Sequence, residues 1–348
     1  MITRSRIICG DAYKKIQKLS SQSVDLCYLD PPFFSKRLFE VETKDGKLNS
    51  FDDTWDNDIE KYLNYMNKVL IECHRVLKKT GSLYLHCDWH VSHYLKVELD
   101  RIFGYDKFRN EIIWRRHNAH NDTKQGCKLF GRVHDIIFFY SKSKKYIWNP
   151  IYEPYPEEYI QKNYKRVEGK SGRRYALGDL SGPGGHSKGN PKYEFLGVTR
   201  YWRYSNVKMK KLYKEGRIIQ TKEGNVPVLK RYLDEMPGLT LQDVWCDVWS
   251  DIKSVQVTKN ESVDYPTQKP IRLLERIIEV STNEKDIVLD CMCGSGTTLI
   301  AAKNLNRKYI GIDKSYEACN ISRNRIRQRQ VRKSRDKKIK LLREIINY

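Results

Sequence analysis

Two short stretches of this sequence hold residue types that can do chemistry together. The first is Asp30-Pro31-Pro32-Phe33, which follows the apolar run Val24–Leu29. Consecutive prolines fix φ and remove backbone donors, so the Asp30 carboxylate and the Pro31 carbonyl point in set directions. Two fixed acceptors can take both hydrogens of an amino group, and Phe33 offers a face on which a planar base can stack. A proline turn with a solvated aspartate is the plainer reading. The motif's place after a strand, where α/β proteins gather ligands, argues against it.

The second stretch runs from Ile287-Val288-Leu289-Asp290 through Cys291-Met292-Cys293 to Gly294-Ser295-Gly296-Thr297-Thr298. An apolar strand ends in an acid, a glycine-rich turn follows, and a helix begins. Gly294 and Gly296 let the backbone approach a ligand that a Cβ would exclude. The free N–H groups of the new helix suit an anion such as a carboxylate. A second strand, Tyr309–Ile312, ends in Asp313, an acid placed for two ribose hydroxyls. Taken alone, this stretch leaves open a nicotinamide-dinucleotide site, although the third glycine of that fingerprint is missing, and an ordinary strand–helix turn. A triphosphate loop is disfavoured because no Gly-Lys-Ser/Thr follows.

Together the two stretches resemble the DNA amino-methyltransferases, whose signature joins an Asp/Asn/Ser-Pro-Pro-aromatic motif to a glycine-rich cofactor loop. The order here, acceptor motif first and cofactor loop last, is similar to the β class of that family. Thr267-Gln268-Lys269-Pro270 matches the segment that helps hold the methionine part of the cofactor, and Gly10-Asp11-Ala12 matches the adenine-side contact. The resemblance covers roughly residues 5–145 and 230–320. It implies S-adenosylmethionine as cofactor, bound by Asp11, Thr267, Gln268, Lys269, Asp290, Gly294, Ser295, Gly296, Thr297 and Asp313. It further implies an α/β, Rossmann-like methyltransferase fold: a circularly permuted, seven-stranded, mostly parallel sheet with one antiparallel strand. Asp30, Pro31, Pro32 and Phe33 would carry methyl transfer to an amino group of a base turned out of double-stranded DNA. The leading Asp favours adenine N6; cytosine N4 is the alternative. A restriction–modification setting, a cognate endonuclease and a homodimer are within what the resemblance allows. One departure stands out: Cys291-Met292 replaces the family's usual Pro-Phe, and Met can still cover an apolar side of the cofactor.

The elements that must position these residues are legible as alternating apolar runs and helical spacings. Ser5–Cys9, Val24–Leu29, Ser82–His86, Glu111–Trp114, Asp135–Tyr140, Ile287–Leu289 and Tyr309–Ile312 read as buried strands. Ile59–Leu77, Val91–Phe103, Ile271–Val280 and Thr297–Leu305 read as helices. That alternation argues for a parallel sheet covered on both faces. Four segments follow: residues 1–150 and 264–322 as two halves of the catalytic domain, 151–263 as an inserted target-recognition region, and 323–348 as a basic tail.

The chain carries 65 Lys and Arg against 43 Asp and Glu, a net charge of +22, which points to a polyanionic partner such as nucleic acid. In the middle region, Tyr201, Trp202, Arg203 and Tyr204, with Lys208, Lys210, Lys211 and Lys214, mix rings with cations as a base- and phosphate-contacting surface does. A basic solvated face is the plainer reading. Ser181–Pro191 is too rich in Gly and Pro for a regular element, but Trp202, Trp245 and Trp249 argue against a disordered linker. Arg323–Arg343 reads as a solvated basic helix. The nine cysteines are scattered, form no disulfide framework and offer no zinc spacing beyond Cys291-x-Cys293, so no metal is expected. No Pro-Cys dipeptide is present, which disfavours carbon-5 cytosine chemistry. The absence of a spanning apolar stretch or secretory signal places the chain in the cytoplasm and away from membranes. A nicotinamide oxidoreductase or a non-catalytic DNA-binding module explains one stretch but not both.

Overall fold

The computed structural model describes residues 5–36, 38–42, 48–116, 128–169, 171–245, 265 and 267–328. It divides into two compact units, Tyr152–Leu241 and the segments that flank it.

The larger unit is built on an eight-stranded sheet. In chain order its strands are β1 (Arg6–Cys9), β2 (Val24–Leu29), β3 (Leu77–Cys87), β4 (Phe108–Arg115), β5 (His134–Ser141), β6 (Val244–Trp245), β7 (Ile287–Asp290) and β8 (Lys308–Asp313). Their spatial order is β1-β8-β7-β2-β3-β5-β4-β6. Every pairing is parallel except those of β5, which runs antiparallel to β3 and β4. The seven expected strands are all present. The eighth, the two-residue β6, lies in the stretch read as insertion; it pairs with β4, and Trp245 is buried. Trp249 lies outside the described residues.

Central strands are apolar on both faces because helices cover both sides of a parallel sheet. All six residues of β2 are buried. Its one charge, Asp25, accepts from Lys78 Nζ at 2.8 Å and from the Ile287 backbone N–H at 2.9 Å. That carboxylate therefore ties the amino end of β2 to the amino end of β7.

Helices flank the strands, among them α1 (Ala12–Ile16), α2 (Ile59–Val76), α3 (Ser92–Phe103), α4 (Ile271–Ser281) and α5 (Thr297–Asn304). α2 shows the logic. Asp58 caps it by accepting from the N–H groups of Glu60 and Lys61, and Tyr62, Met66, Val69, Leu70, Cys73 and Val76 form its buried stripe. A further helix spans 316–328. Its described part corrects the solvated-tail expectation, because Ser322, Arg325 and Ile326 are buried. Among the described residues no helix is long and apolar enough to cross a membrane.

The smaller unit has its own core of Leu180, Phe195, Trp202, Met209, Ile218 and Leu229. A four-stranded antiparallel sheet (Arg166–Val167, Arg174–Asp179, Val228–Tyr232, Ile218–Ile219), a hairpin (Lys192–Phe195, Val198–Tyr201) and the helix Asn206–Lys214 surround it. The glycine-rich stretch holds one 3-10 turn, Gly185–Lys188. This unit ends at Leu241, short of the expected boundary.

Candidate active site

Because β1, β2, β3, β7 and β8 are mutually parallel, their carboxyl ends share one edge of the sheet. A cavity of about 1030 Å³ opens there, lined by residues that end or follow β1 (Asp11), β2 (Asp30–Phe33), β7 (Asp290–Ser295) and β8 (Asp313). The two stretches that the sequence singles out, more than 250 residues apart, face one space.

On one side, Asp30, Pro31, Pro32 and Phe33 all line the cavity. Lys269 Nζ donates to Asp30 Oδ2 at 2.6 Å and lies 5.2 Å from the centre of the Phe33 ring. The resemblance puts Lys269 on the cofactor side; it lines the cavity, but its charge goes to the Asp30 carboxylate. Immediately downstream the backbone turns through φ values of 57° at Phe34 and 58° at Lys36, a left-handed conformation that side chains disfavour. Asp53 holds this turn. Its buried carboxylate accepts from the N–H groups of Phe34 (3.0 Å) and Ser35 (2.8 Å), the Ser35 hydroxyl (2.6 Å) and Trp55 Nε1 (3.2 Å).

Behind Phe33 sits a buried polar chain. The His86 ring stacks on Phe33 at 5.9 Å and 25°. His86 Nδ1 is 2.8 Å from the Tyr28 hydroxyl, and its Nε2 is 3.0 Å from Asp135 Oδ2. Burial opposes ionisation of Asp135, but the His86 hydrogen bond and the Lys269 and Arg116 cations outweigh it and hold the carboxyl below its usual range. Burial pushes the Tyr28 hydroxyl far up, with help from Asp30 and Asp290, so it stays neutral.

On the other side, the glycine turn is tied to backbone and neighbouring acids. Met292 N–H donates to Asp290 Oδ1 at 3.1 Å, and Gly294 N–H to Asp313 Oδ2 at 2.8 Å. Burial raises the Asp290 carboxyl to about 7; hydrogen bonds from Thr298 and Met292 oppose the rise, and the Asp30 and Asp313 charges add to it. Asp313 is raised by burial too. Asp11 caps α1 through Lys14 N–H and accepts from the Tyr65 hydroxyl, both at 3.0 Å. Thr267, Gln268, Gly294, Ser295 and Thr297 also line the cavity, as does Met292, which stands where the family's Phe would be. Gly296 does not line it. Its φ is 76°, and a Cβ there would lie 2.5 Å from Ser322 Oγ, so this glycine serves a tight turn against the 316–328 helix. Arg325, from that helix, donates to Ser295 O (2.7 Å), Ser295 Oγ (2.9 Å) and Thr297 Oγ1 (3.2 Å).

These groups fit S-adenosylmethionine. Two acids whose burial disfavours the charged form call for a cationic or hydroxyl partner, and Met292 and Ala318 supply apolar wall. Among the described residues no cluster of His, Cys, Asp or Glu is placed to hold a metal ion. Asp53, His86, Asp135 and Arg325 have no motif spacing, so no sequence signal marks them.

In the smaller unit the candidate DNA contacts separate. Trp202 is fully buried, with Nε1 donating to Tyr193 O at 2.9 Å, so it is a core residue and not a base contact. Tyr201 is half-buried against Gly185, and exposed Arg203 donates to Ser181 O at 2.9 Å. Lys208, Lys210 and Lys211 are exposed on Asn206–Lys214.

A family model described as DNA methylase matches residues 24–324. A type II methyltransferase of Enterobacter cloacae is 33% identical over 303 residues, covering 85% of this chain and 63% of that protein. The chain thus spans somewhat under two thirds of that relative's length. A DNA adenine methyltransferase of Escherichia coli is 28% identical over 308 residues, covering 88% of this chain and 77% of that protein. In three dimensions, a Thermus thermophilus protein described as a DNA modification methylase, solved with S-adenosyl-L-methionine, superposes with a TM-score of 0.50. That match has 16% identity, covers 93% of each chain and speaks to the fold alone. With a family match over residues 24–324 and a relative 33% identical across 85% of its length, this chain belongs to the N6/N4 family of DNA methylases.

Proposed function

We propose that this chain transfers a methyl group from S-adenosylmethionine to N6 of adenine in double-stranded DNA. The observation that carries this reading is the meeting of Asp30-Pro31-Pro32-Phe33 with the Asp290–Thr298 turn around one cavity.

An exocyclic amino nitrogen is a weak nucleophile because its lone pair is delocalised into the ring. Asp30 and the Pro31 carbonyl accept its two hydrogens and so localise that pair on nitrogen. Lys269 and the Asp53-held turn fix both acceptors before the base arrives, which supplies much of the rate enhancement by placement. Phe33, backed by His86, is the stacking surface for a base turned out of the duplex. When bound, the cofactor supplies an electrophilic methyl on a cationic sulfur. Asp290 would take its ammonium, Asp313 its ribose hydroxyls and Asp11 its adenine side, with Met292 as apolar cover.

Asp at the head of the acceptor motif favours adenine over cytosine. In the smaller unit we assign target recognition to 152–241, with Tyr201, Arg203, Lys208, Lys210 and Lys211 as phosphate or base contacts. A cognate endonuclease accords with the type II name of the Enterobacter relative. Mass spectrometry of nucleosides from a host expressing the protein tests the chemistry. N6-methyladenine is the expected product; N4-methylcytosine would move the target to the other amino base. Unmodified DNA would remove the methyl-transfer reading. Long-read mapping of the modified positions gives the recognition sequence.

A further inference from the structure

The edge of the sheet that carries Asp30 also carries an exposed aromatic and cationic patch that the site above does not use. β3 ends at Cys87, and Trp89 follows with 46% of its surface exposed. β5 runs antiparallel to both β3 and β4, so the end of β4 and the start of β5 lie at the same edge. The residues just before β5 include Leu129, 55% exposed, and Phe130, 100% exposed. Lys128 and Arg132 flank them, and the Arg132 guanidinium lies 3.7 Å from the centre of the Trp89 ring. A lone exposed apolar residue means little, but two in succession, flanked by Lys128 and by an Arg132 that stacks on exposed Trp89, on the sheet edge that carries Asp30, mark a contact surface.

The chemistry of the patch selects its partner. A base leaving a duplex exposes the apolar faces of its two stacked neighbours, and the gap is flanked by phosphates. An unpartnered ring fits that gap, and cations on either side fit its rim. Phe33 cannot serve, because it is half-buried inside the cavity between His86 and Lys269. Two aromatic groups are needed for two tasks: one receives the base and another replaces it.

We propose that Phe130, supported by Leu129, enters the DNA duplex as a wedge that fills the space left by the target base, while Lys128 and Arg132 contact the adjoining phosphates. This rests on the reading of the chain as a DNA methyltransferase acting on an extruded base. The proposal makes Phe130 matter for opening the duplex and not for chemistry on a base already free.

The test uses the full chain and duplex oligonucleotides bearing the mapped site. In one the target base faces its normal partner; in the other it faces an abasic position. For Phe130→Ala, kcat/KM on the paired duplex should fall about tenfold, the scale of one lost base–aromatic stack. On the abasic-opposed duplex it should return to within about twofold of wild type, since little extrusion work remains. Phe130→Trp should keep activity on both. Stabilisation by S-adenosylmethionine should be unchanged in either variant, because Phe130 is fully exposed and touches no cofactor-side residue. Unaltered turnover by Phe130→Ala on the paired duplex, or an equal loss on both duplexes, overturns the wedge and leaves the methyltransferase reading intact. A wild-type protein inactive on both duplexes overturns that reading and the wedge with it.

Discussion

The stretches 30–35 and 290–298 both contribute residues to the same cavity, yet they are held in opposite ways. The acceptor loop depends on side chains from distant positions: Lys269, 239 residues away, the Asp53 carboxylate and the His86 ring. It also carries a left-handed aromatic residue at Phe34, a conformation that costs about 1–3 kcal/mol and persists only because Asp53 holds it. The donor turn is held by its own backbone N–H groups, by Asp290 and Asp313, and by Arg325 and Ser322 from one helix. A clamp of few strong contacts sets geometry tightly but fails when one contact is removed. The donor turn spreads its support over more contacts, and none of these comes from the side chain of Cys291 or Met292.

That contrast breaks first at Asp30. Asp30→Ala should lower methyl transfer about a thousandfold or more, while leaving cofactor stabilisation intact. Labelled-methyl incorporation and thermal shift measure the two. A variant that retains near-wild-type turnover would take the acceptor role away from Asp30. Lys269→Met comes next: kcat should fall about 10–100-fold, with KM for the cofactor nearly constant, because the lysine orients the acceptor. If KM for the cofactor rises instead and kcat holds, Lys269 belongs to the donor side.

Arg325→Met should act in the reverse sense. Losing charged hydrogen bonds worth about 1.5–3 kcal/mol loosens the donor turn, so cofactor affinity should weaken about tenfold or more while kcat at saturation survives. Isothermal titration and a saturation series separate these, and equal losses in both would mean that the two loops are not independent. The most gradual effect, the smallest for a single step, is with pH. Asp290 is raised from 3.8 to about 7, so the free protein holds a proton there below neutrality. Its folding stability therefore declines as pH rises from about 4 to about 7, the window between unfolded and folded values. A cation bound beside Asp290 favours the ionised form and expels that proton. Cofactor affinity should then drop by up to about tenfold per pH unit below 7 and level off above it. Titrations in buffers of different ionisation enthalpy would detect the released proton; none released would count against Asp290 as the ammonium partner.

Much of this is legible in the sequence, for reasons tied to particular residues. Val24–Leu29 and Ile287–Leu289 announce themselves because a strand buried on both faces is continuously apolar, and the prolines and glycines after them mark where the backbone must turn. Val244–Trp245 is only two residues long and edge-paired, so no periodicity exposes it. Trp202 reads as a base contact because it lies among cations, but its large apolar surface fills the smaller unit's core. Arg325 sits in a basic run that looks solvated; only the fold shows it turned inward to Ser295. Asp53, His86 and Asp135 belong to no motif, since their meeting is produced by strand order and not by spacing.

The Asp25 bridge to Ile287 joins positions 262 residues apart, and β2 and β7 lie side by side at the middle of the sheet. During translation, β2 must therefore wait for one of the last strands to be made before its open edge is paired. Closing so long a loop is entropically unfavourable and slow. The nascent chain passes through a stage in which the edge of a mostly apolar strand is bare, a form prone to mispairing and suited to capture by a chaperone. The permuted order of the strands thus sets when the molecule is most vulnerable, well before any base or cofactor is met.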